Sequence, residues 1–375
     1  MLEIKKLDND SKRQIKEFVR FAWEHYKGCG NWVPPLFSDQ VNQMMGKNNP
    51  LFDTGFHSFF MAYRDGKAVG RVLCGADKKF NDFVNKKQGY FALFECIDDQ
   101  ETANALFDSC KQYFIENGMD TFIGPVSPTN GDDSKGVLVM GFDGPPLLLN
   151  TYNYEYYEKL YLEYGFEKDE DHLAFKFSAE LLASSGRYGE TVDKVAQRYG
   201  MRADRLDLQQ LDREAQDIYT ILLEGMPNDW EYTSPKTLQD VVDEIKNLKQ
   251  FYTGKFVFIL RQGERPIGFV VALPDYNIVL KKMNGKLFPL GWLKFLIYRN
   301  KIDRIRGLIQ FVIKEYQGKG ANAIMFKAVQ DDFNASNMTM AEGSTIGEYN
   351  AASIKTLTRA GGEHYRTYRV YRMNV

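Results

Sequence analysis

Two stretches of this 375-residue chain follow one grammar almost two hundred residues apart, and that repetition limits the folds open to it. From Ser58 to Val72 an apolar run leads through a polar turn at Asp65-Gly66 into a second run containing Gly70. From Lys255 to Val270 the order recurs, with the turn near Gly263 and the second-strand glycine at Gly268. Both read as β-hairpins. Their glycines stand 198 residues apart. Leu7-Asp8 and Leu206-Asp207 keep an offset of 199, and Tyr152-Asn153 and Tyr349-Asn350 one of 197. In between, Ala103-Asn104-Ala105 matches Ala321-Asn322-Ala323 at 218. The second half therefore carries roughly 20 extra residues around Ile278 to Tyr298, a long connection by ordinary loop lengths. A comparable extra segment near Gly124 to Gly144 restores the register in the first half. Landmarks in constant order across compensating insertions argue for divergent duplication.

Each half reads as a strand, one or two helices, a hairpin, a long strand, a helix, a strand, a helix and a closing strand. Helices are expected over Ser11 to Tyr26, Thr102 to Glu116, Leu208 to Leu223, Pro235 to Phe251 and Asn322 to Phe333. Ser234-Pro235 looks like an N-cap followed by proline in the first helical position. The chain divides into a first half over 1–178, a polar linker helix over 179–200 and a second half over 201–375. The fold class is mixed α/β, with two tandem sheet-containing domains. Hydrophobic residues make up 44% and aromatics 14%, enough for two cores.

The net charge is −2, so no positive field speaks for nucleic acid. Cys29, Cys74, Cys96 and Cys110 form no CxxC pair, and His25, His57, His172 and His364 are too scattered for HExxH; no metal site is expected. The N-terminus lacks a signal-peptide pattern, and no apolar run reaches the ~18 residues of a membrane span. A cytoplasmic protein without integral membrane association is the expectation, and an oligomer is compatible with it.

The sharpest chemical signature runs from Gly307 to Asn322: a strand, then Tyr316-Gln317-Gly318-Lys319-Gly320-Ala321-Asn322, then an apolar-periodic helix. Glycines at 318 and 320 let successive N–H groups turn inward, and the helix N-terminus adds about half a positive charge. That makes an anion cradle, with Lys319 at its rim. It is neither a Walker A loop nor a dinucleotide GxGxxG.

This turn resembles motif A of the GNAT acyltransferase superfamily, [RQ]-x-x-G-x-[GA], with Gln317 at its first position and Gly320 at its fourth; Asn322 departs at the sixth. Glu348-Tyr349-Asn350, the helix after it and Gly361-Gly362 resemble motif B, as does Asn153 to Phe166 in the first half. The resemblance implies tandem GNAT-like domains, each with a splayed sheet flanked by helices. It implies acetyl-CoA or another acyl-CoA, its pantetheine arm along Phe311, Val312 and Ile313 and its diphosphate over Gln317, Gly318, Lys319, Gly320, Ala321 and Asn322, with Asn350 nearby. The reaction implied is acyl transfer to an amine, small-molecule or peptide, by direct attack. A regulatory acyl-CoA-binding protein, or an aminoacyl or long-chain acyl transferase with paired GNAT folds, fits the same residues.

Glu342, a carboxylate in an uncharged strand-like run, is the expected general base. Glu315 reads as solvated and Glu348 as a helix N-terminal carboxylate. No tyrosine lies on the second motif-B helix; Tyr365, Tyr368 and Tyr371 on the closing strand are the nearest substitutes. In the first half the cradle positions fall on Asp99, Gln100, Glu101 and Thr102, where acids would repel a diphosphate. That half is expected to support the second half or to shape the acceptor pocket instead. The long stretch Gly124 to Gly144 reads as irregular and close to the junction of the halves. Leu280 to Gly307, basic and interleaved with aromatics, reads as a lid over an acyl chain, a face for an anionic partner or membrane, or a docked helix.

Overall fold

The computed structural model describes residues 1–129, 133–183, 186–226, 236–249 and 251–375, with the side chains of 186–188 left aside. Ser234-Pro235 and the start of the helix expected there lie outside the described residues.

The first half runs β1 (Leu2–Lys6), α1 (Lys12–His25), α2 (Phe37–Met44), β2 (Phe56–Arg64), β3 (Lys67–Ala76), α3 (Lys78–Val84), β4 (Gln88–Cys96), α4 (Gln100–Glu116), β5 (Thr121–Gly124), β6 (Val137–Met140), α5 (Tyr157–Tyr164) and β7 (Glu167–Ser178). The connector holds α6 (Ala179–Ala183) and α7 (Gly186–Tyr199). The second half repeats the order with β8 (Met201–Arg205), α8 (Leu211–Gly225), α9 (Leu238–Leu248), β9 (Val257–Gln262), β10 (Arg265–Pro274), α10 (Asn277–Met283), α11 (Gly291–Tyr298), β11 (Arg304–Val312), α12 (Ala321–Asn334), β12 (Met340–Gly347), α13 (Ala351–Arg359) and β13 (Glu363–Asn374). The short helices α3 and α10 both follow the third strand of their half, so the extra residues of the second half begin after α10. The stretch read as irregular between Gly124 and Gly144 contains β6, which pairs with β13. Four residues, even between Gly136 and Gly141, carried too little pattern to reveal a strand.

The paired glycines have a common cause. A Cβ at Gly70 would lie 3.1 Å from the Glu95 carbonyl, and one at Gly268 would lie 2.8 Å from the Phe311 carbonyl. Each lets its hairpin press against the next strand, which only glycine permits at that distance. The landmark in the sequence is a packing requirement met twice.

All strands among the described residues join one 13-stranded sheet in the order β1-β2-β3-β4-β5-β13-β7-β12-β11-β10-β9-β8, with β6 beside β13. The halves exchange their closing strands. β13 of the second half pairs with β5 of the first, and β7 of the first half pairs with β12 of the second. β7 and β13 also pair with each other along most of their length. Each half has an apolar core to which the other's exchanged strand contributes, Tyr371 of β13 in the first and Phe175 and Phe177 of β7 beside Ile305 and Phe333 in the second. Phe91, Phe107 and Tyr161 anchor one in the first half, and Ile259, Phe269 and Met325 one in the second. Arg366 of β13, buried, donates to the carbonyls of Gly141, Asp143, Gly144 and Pro145, pinning the first half's long loop against the exchanged strand.

Candidate active site

β11 and β12 run parallel only from Arg304–Gly307 against Met340–Gly343; beyond Gly307 they part. On its other side β11 stays paired with β10 through Val312. The Ile313 N–H donates to the Ile267 carbonyl. In an antiparallel pair the groups facing the partner alternate, so Gln310 and Val312 turn their backbone groups into the opening. The Val312 carbonyl accepts from Gln317 Nε2 at 3.1 Å, which ties the turn to the strand end. Phe311, Val312 and Ile313 have buried side chains. The opening therefore offers backbone rather than side-chain chemistry.

At its end the turn curls over Gly318 (φ +76°) and Gly320 (φ +87°), the left-handed conformations glycine adopts most freely. Gly320 is the N-cap of α12 and supplies no side chain to its first-turn N–H groups. Such uncapped amides stand at the positive end of a 14-residue helix, a geometry able to receive an anion. Gln317, Gly318 and Lys319 are exposed, Ala321 is buried and Asn322 half-buried. Val195 of the connector helix packs against Gly320, where a Cβ would meet it at 2.7 Å. Glu315 pairs with Arg265 at 2.9 Å on the surface, as the sequence suggested.

The first half treats the same place oppositely. Asp99 caps α4, accepting from the Thr102 N–H at 3.0 Å and pairing with Arg64 at 2.7 Å. The strand edge is filled too. Cys96, which occupies the register of Val312, gives its N–H to Tyr157 Oη at 3.1 Å, and its carbonyl accepts from Tyr156 Oη at 2.7 Å. Two tyrosines of the motif-B region thus take up both backbone groups at this register, whereas in the second half the Val312 carbonyl is taken up by Gln317.

A cavity of about 740 Å³ lies between the halves. One end is polar, with Arg71, Glu95, Tyr26, Tyr157 and Asn150 in its wall. The other is apolar, built from Phe251, Val279, Leu280, Met283, Leu287 and Phe295 of the second half. Glu95 sits at the end of an otherwise apolar β4, where a bulge at Leu93 shifts the register against β3. Its Oε2 accepts from Tyr26 Oη at 2.5 Å and Tyr157 Oη at 2.7 Å, and Arg71 stands 3.6 Å from Oε1. Burial raises the Glu95 pKa above the ordinary carboxylate value, against the opposing pull of Arg71 and the two hydroxyls. A carboxyl held this way in a cavity wall, its proton affinity raised by burial, is a candidate for proton transfer.

Glu342 is enclosed instead. It is 2% exposed, and its Oε1 accepts from Asn150 Nδ2 at 2.8 Å and Ser344 Oγ at 2.5 Å. Oε2 accepts from Tyr365, and Arg306 Nε lies 3.8 Å from Oε1. The carboxylate meets the cavity only through Asn150. Among the other predicted residues, Asn350 caps α13 through the Ser353 N–H, and Glu348 binds Lys168 and the Asp171 N–H. Tyr368 is buried, and Tyr371 stacks on Tyr161 and donates to Glu158. The sequence reading overlooked Glu95, Arg71, Tyr26 and Asn150. The test that singled out Glu342, a lone charge within an apolar strand, applies equally to Glu95 between Phe94 and Cys96 and to Arg71 between Gly70 and Val72.

His25 backs this cluster, its Nε2 2.9 Å from Tyr157 Oη. Burial first, and Arg71 second, lower its pKa to about 4, so it is neutral in the folded protein. The unfolded chain takes up a proton near pH 6.5 while the folded one resists, so stability falls as pH drops from 6.5 towards 4. Asp275, raised by burial to about 6, works in the opposite sense. His25→Gln should therefore lose about 2 kcal/mol less than the natural protein between pH 7 and pH 5. Denaturant unfolding at the two pH values measures the difference; equal losses would remove His25 from the acid response.

The fold and the opening between β11 and β12 define a class. The chain has the GNAT fold in tandem, one copy with an open phosphate-type turn and one with that turn capped. Among solved structures, the GCN5-related glucosamine N-acetyltransferase region of a fungal multi-domain GH3 β-N-acetylglucosaminidase aligns at a TM-score of 0.60 and 14% identity. It matches all of this chain, which spans 38% of that longer protein. A tandem GNAT protein from the clavulanic acid biosynthesis pathway aligns at 0.56 and 9%, covering 100% of this chain and 98% of its own. In sequence, the bacterial ceramide synthase of Caulobacter vibrioides (strain NA1000 / CB15N) is 29% identical over 369 residues, 96% of this chain and 94% of that protein. Protein YghO of Escherichia coli (strain K12) is 28% identical over 372 residues, 97% and 94% respectively. No protein-family model matches the sequence.

Proposed function

We propose that this protein is an acyl-CoA-dependent N-acyltransferase whose second half binds the acyl donor and whose inter-half cavity binds an amine with an aliphatic body. The observation that carries the reading is the contrast between the copies: Tyr156, Tyr157 and Asp99 close the β-strand edge and helix N-terminus in one, whereas in the other β11 and β12 part beyond Gly307, α12 begins at a glycine N-cap, and Gln317 takes up the Val312 carbonyl alone. Gln310 and the Val312 N–H suit the amides of a pantetheine arm, and Gly318 to Asn322 with Lys319 suit its diphosphate. An acyl thioester bound there supplies an activated carbonyl carbon; the remaining tasks fall to this chain.

Glu95 takes the proton that the amine must lose to attack, and Arg71, Tyr26 and Tyr157 hold its carboxylate. We assign this role to Glu95, which lines the cavity, rather than to Glu342, which does not and whose two oxygens both accept hydrogen bonds; Glu342 positions Asn150 in the cavity wall. The C–N bond forms as the C–S bond breaks, without an acyl-enzyme. The apolar end of the cavity favours an acceptor with a hydrocarbon chain over a peptide. The ceramide synthase relative supports this, since the amide of a ceramide joins a fatty acyl group to a long-chain amine.

Calorimetric titration with acetyl-CoA and palmitoyl-CoA, followed by mass spectrometry of the products from short-chain and long-chain amines, tests the reading. Donor binding with amide formed on the long-chain amine is expected. Binding without amide on any amine would favour a regulatory acyl-CoA sensor, and no binding would sink the proposal.

A further inference from the structure

The segment that follows α10 exposes apolar side chains where a folded chain would ordinarily bury them. Phe288 is 75% exposed, Leu290 63%, Trp292 47%, Leu293 42%, Leu296 44% and Ile297 51%. These are six of the sixteen exposed large hydrophobics among the described residues, gathered within ten consecutive positions. In α11 only Gly291 is buried. The docked helix weighed from the sequence is thus attached along one side only, through Phe295 and Tyr298, which pack against the second-half core.

The surrounding charge has one sign. Between Tyr276 and Ile302 stand Lys281, Lys282, Lys286, Lys294, Arg299 and Lys301, all exposed, with no aspartate or glutamate. Lys282 and Lys301 lie over the Tyr298 ring at 5.7 and 5.1 Å, beside the apolar patch. Insertable aromatic and aliphatic side chains ringed by cations match an anionic bilayer surface, where apolar groups enter the acyl boundary and cations meet headgroup phosphates. Among the described residues no helix is long and apolar enough to cross a membrane, so contact would be made from one side.

We propose that residues 286–301 dock this protein on the surface of an anionic lipid bilayer. A second observation favours a bilayer over a protein partner. The inner side of the same segment, through Leu287 and Phe295, with Leu280 and Met283 of α10, walls the apolar end of the cavity. One segment presents hydrocarbon both outward and into the cavity, a path for a chain leaving a membrane and not a feature a protein interface needs. The inference does not depend on acyl transfer, because vesicle binding is read without a donor or a reaction.

Co-sedimentation of the full chain with vesicles of phosphatidylglycerol and phosphatidylethanolamine, and with pure phosphatidylcholine vesicles, tests it. Binding to the anionic vesicles, weakened on raising salt, and at least tenfold lost in Trp292→Glu/Leu296→Glu is expected. Lys286→Glu/Lys294→Glu should weaken anionic-vesicle binding while leaving the thermal midpoint unchanged. Recovery of the natural protein in the supernatant with every vesicle would overturn the proposal. So would a natural dimer, seen by light scattering, that Trp292→Glu/Leu296→Glu dissociates without changing vesicle binding, since a second copy would then be the occupant.

Discussion

Gly318→Asp is expected to weaken acyl-CoA binding about 100-fold while the protein remains folded. Gly318 is exposed at φ +76°, and no heavy atom lies within 4 Å of where a Cβ would project. Aspartate tolerates the left-handed region better than most residues, so the backbone cost is on the order of 1 kcal/mol. A fixed carboxylate near a bound diphosphate costs up to about 4 kcal/mol per charge pair at a partly screened site, and about 2.7 kcal/mol suffices for the loss expected. Gly318→Asn has the same shape without the charge and should retain most of the affinity. Titration calorimetry on the three proteins, with thermal midpoints beside them, separates charge from strain. Equal affinities would place the diphosphate elsewhere. Gly320 is the poorer site for this test, because a side chain there also strikes Val195.

Glu95→Gln is expected to reduce kcat by about 10²- to 10⁴-fold, the range lost with a general base, and to leave acyl-CoA affinity unchanged. The glutamine keeps the size of the side chain and can still accept from Tyr26 and Tyr157. In the natural protein, activity should fall as pH drops through the raised pKa of Glu95, since the protonated carboxyl cannot accept a proton; the variant should lack that limb. Glu342→Gln tests the rival assignment. Neutralising a buried carboxylate beside the buried Arg306 should cost roughly 3 to 5 kcal/mol of stability. If Glu342→Gln instead keeps its thermal midpoint and loses more turnover than Glu95→Gln, Glu342 is the base.

What the sequence disclosed follows from physics that leaves local marks. Gly70 and Gly268 are forced by strands approaching too closely for a Cβ, and Gly318 and Gly320 by left-handed backbone, so both were readable as spacing. The Asp99 cap was readable because acids favour helix N-termini. The Glu95 cluster was not: Tyr26 lies 69 residues from Glu95 and Tyr157 lies 62 residues away, and nothing local records that their hydroxyls meet. Glu342 was found as a lone charge in a strand, but its enclosure depends on Asn150, 192 residues away. The basic, aromatic character of α11 was plain, while the side it leaves bare depends on where the second-half core stops. Strand exchange left no trace at all, since β7 and β13 have the same place in chain order whether they fold back on their own half or cross over.

That exchange makes the two copies mutual chaperones rather than beads on a string. A fragment ending with the first half would carry a β7 with no β12 to receive it and would leave the far side of β5 bare, an invitation to self-association. The complementary fragment would suffer the mirror-image defect. Cutting the chain within its connector should yield two pieces that are each sticky alone and reassemble on mixing, as the protomers of a strand-swapped dimer would. The chain thus has the topology of such a dimer with its subunits spliced end to end, and the splice explains how one copy can have its turn capped by Asp99 and still complete the sheet of the other.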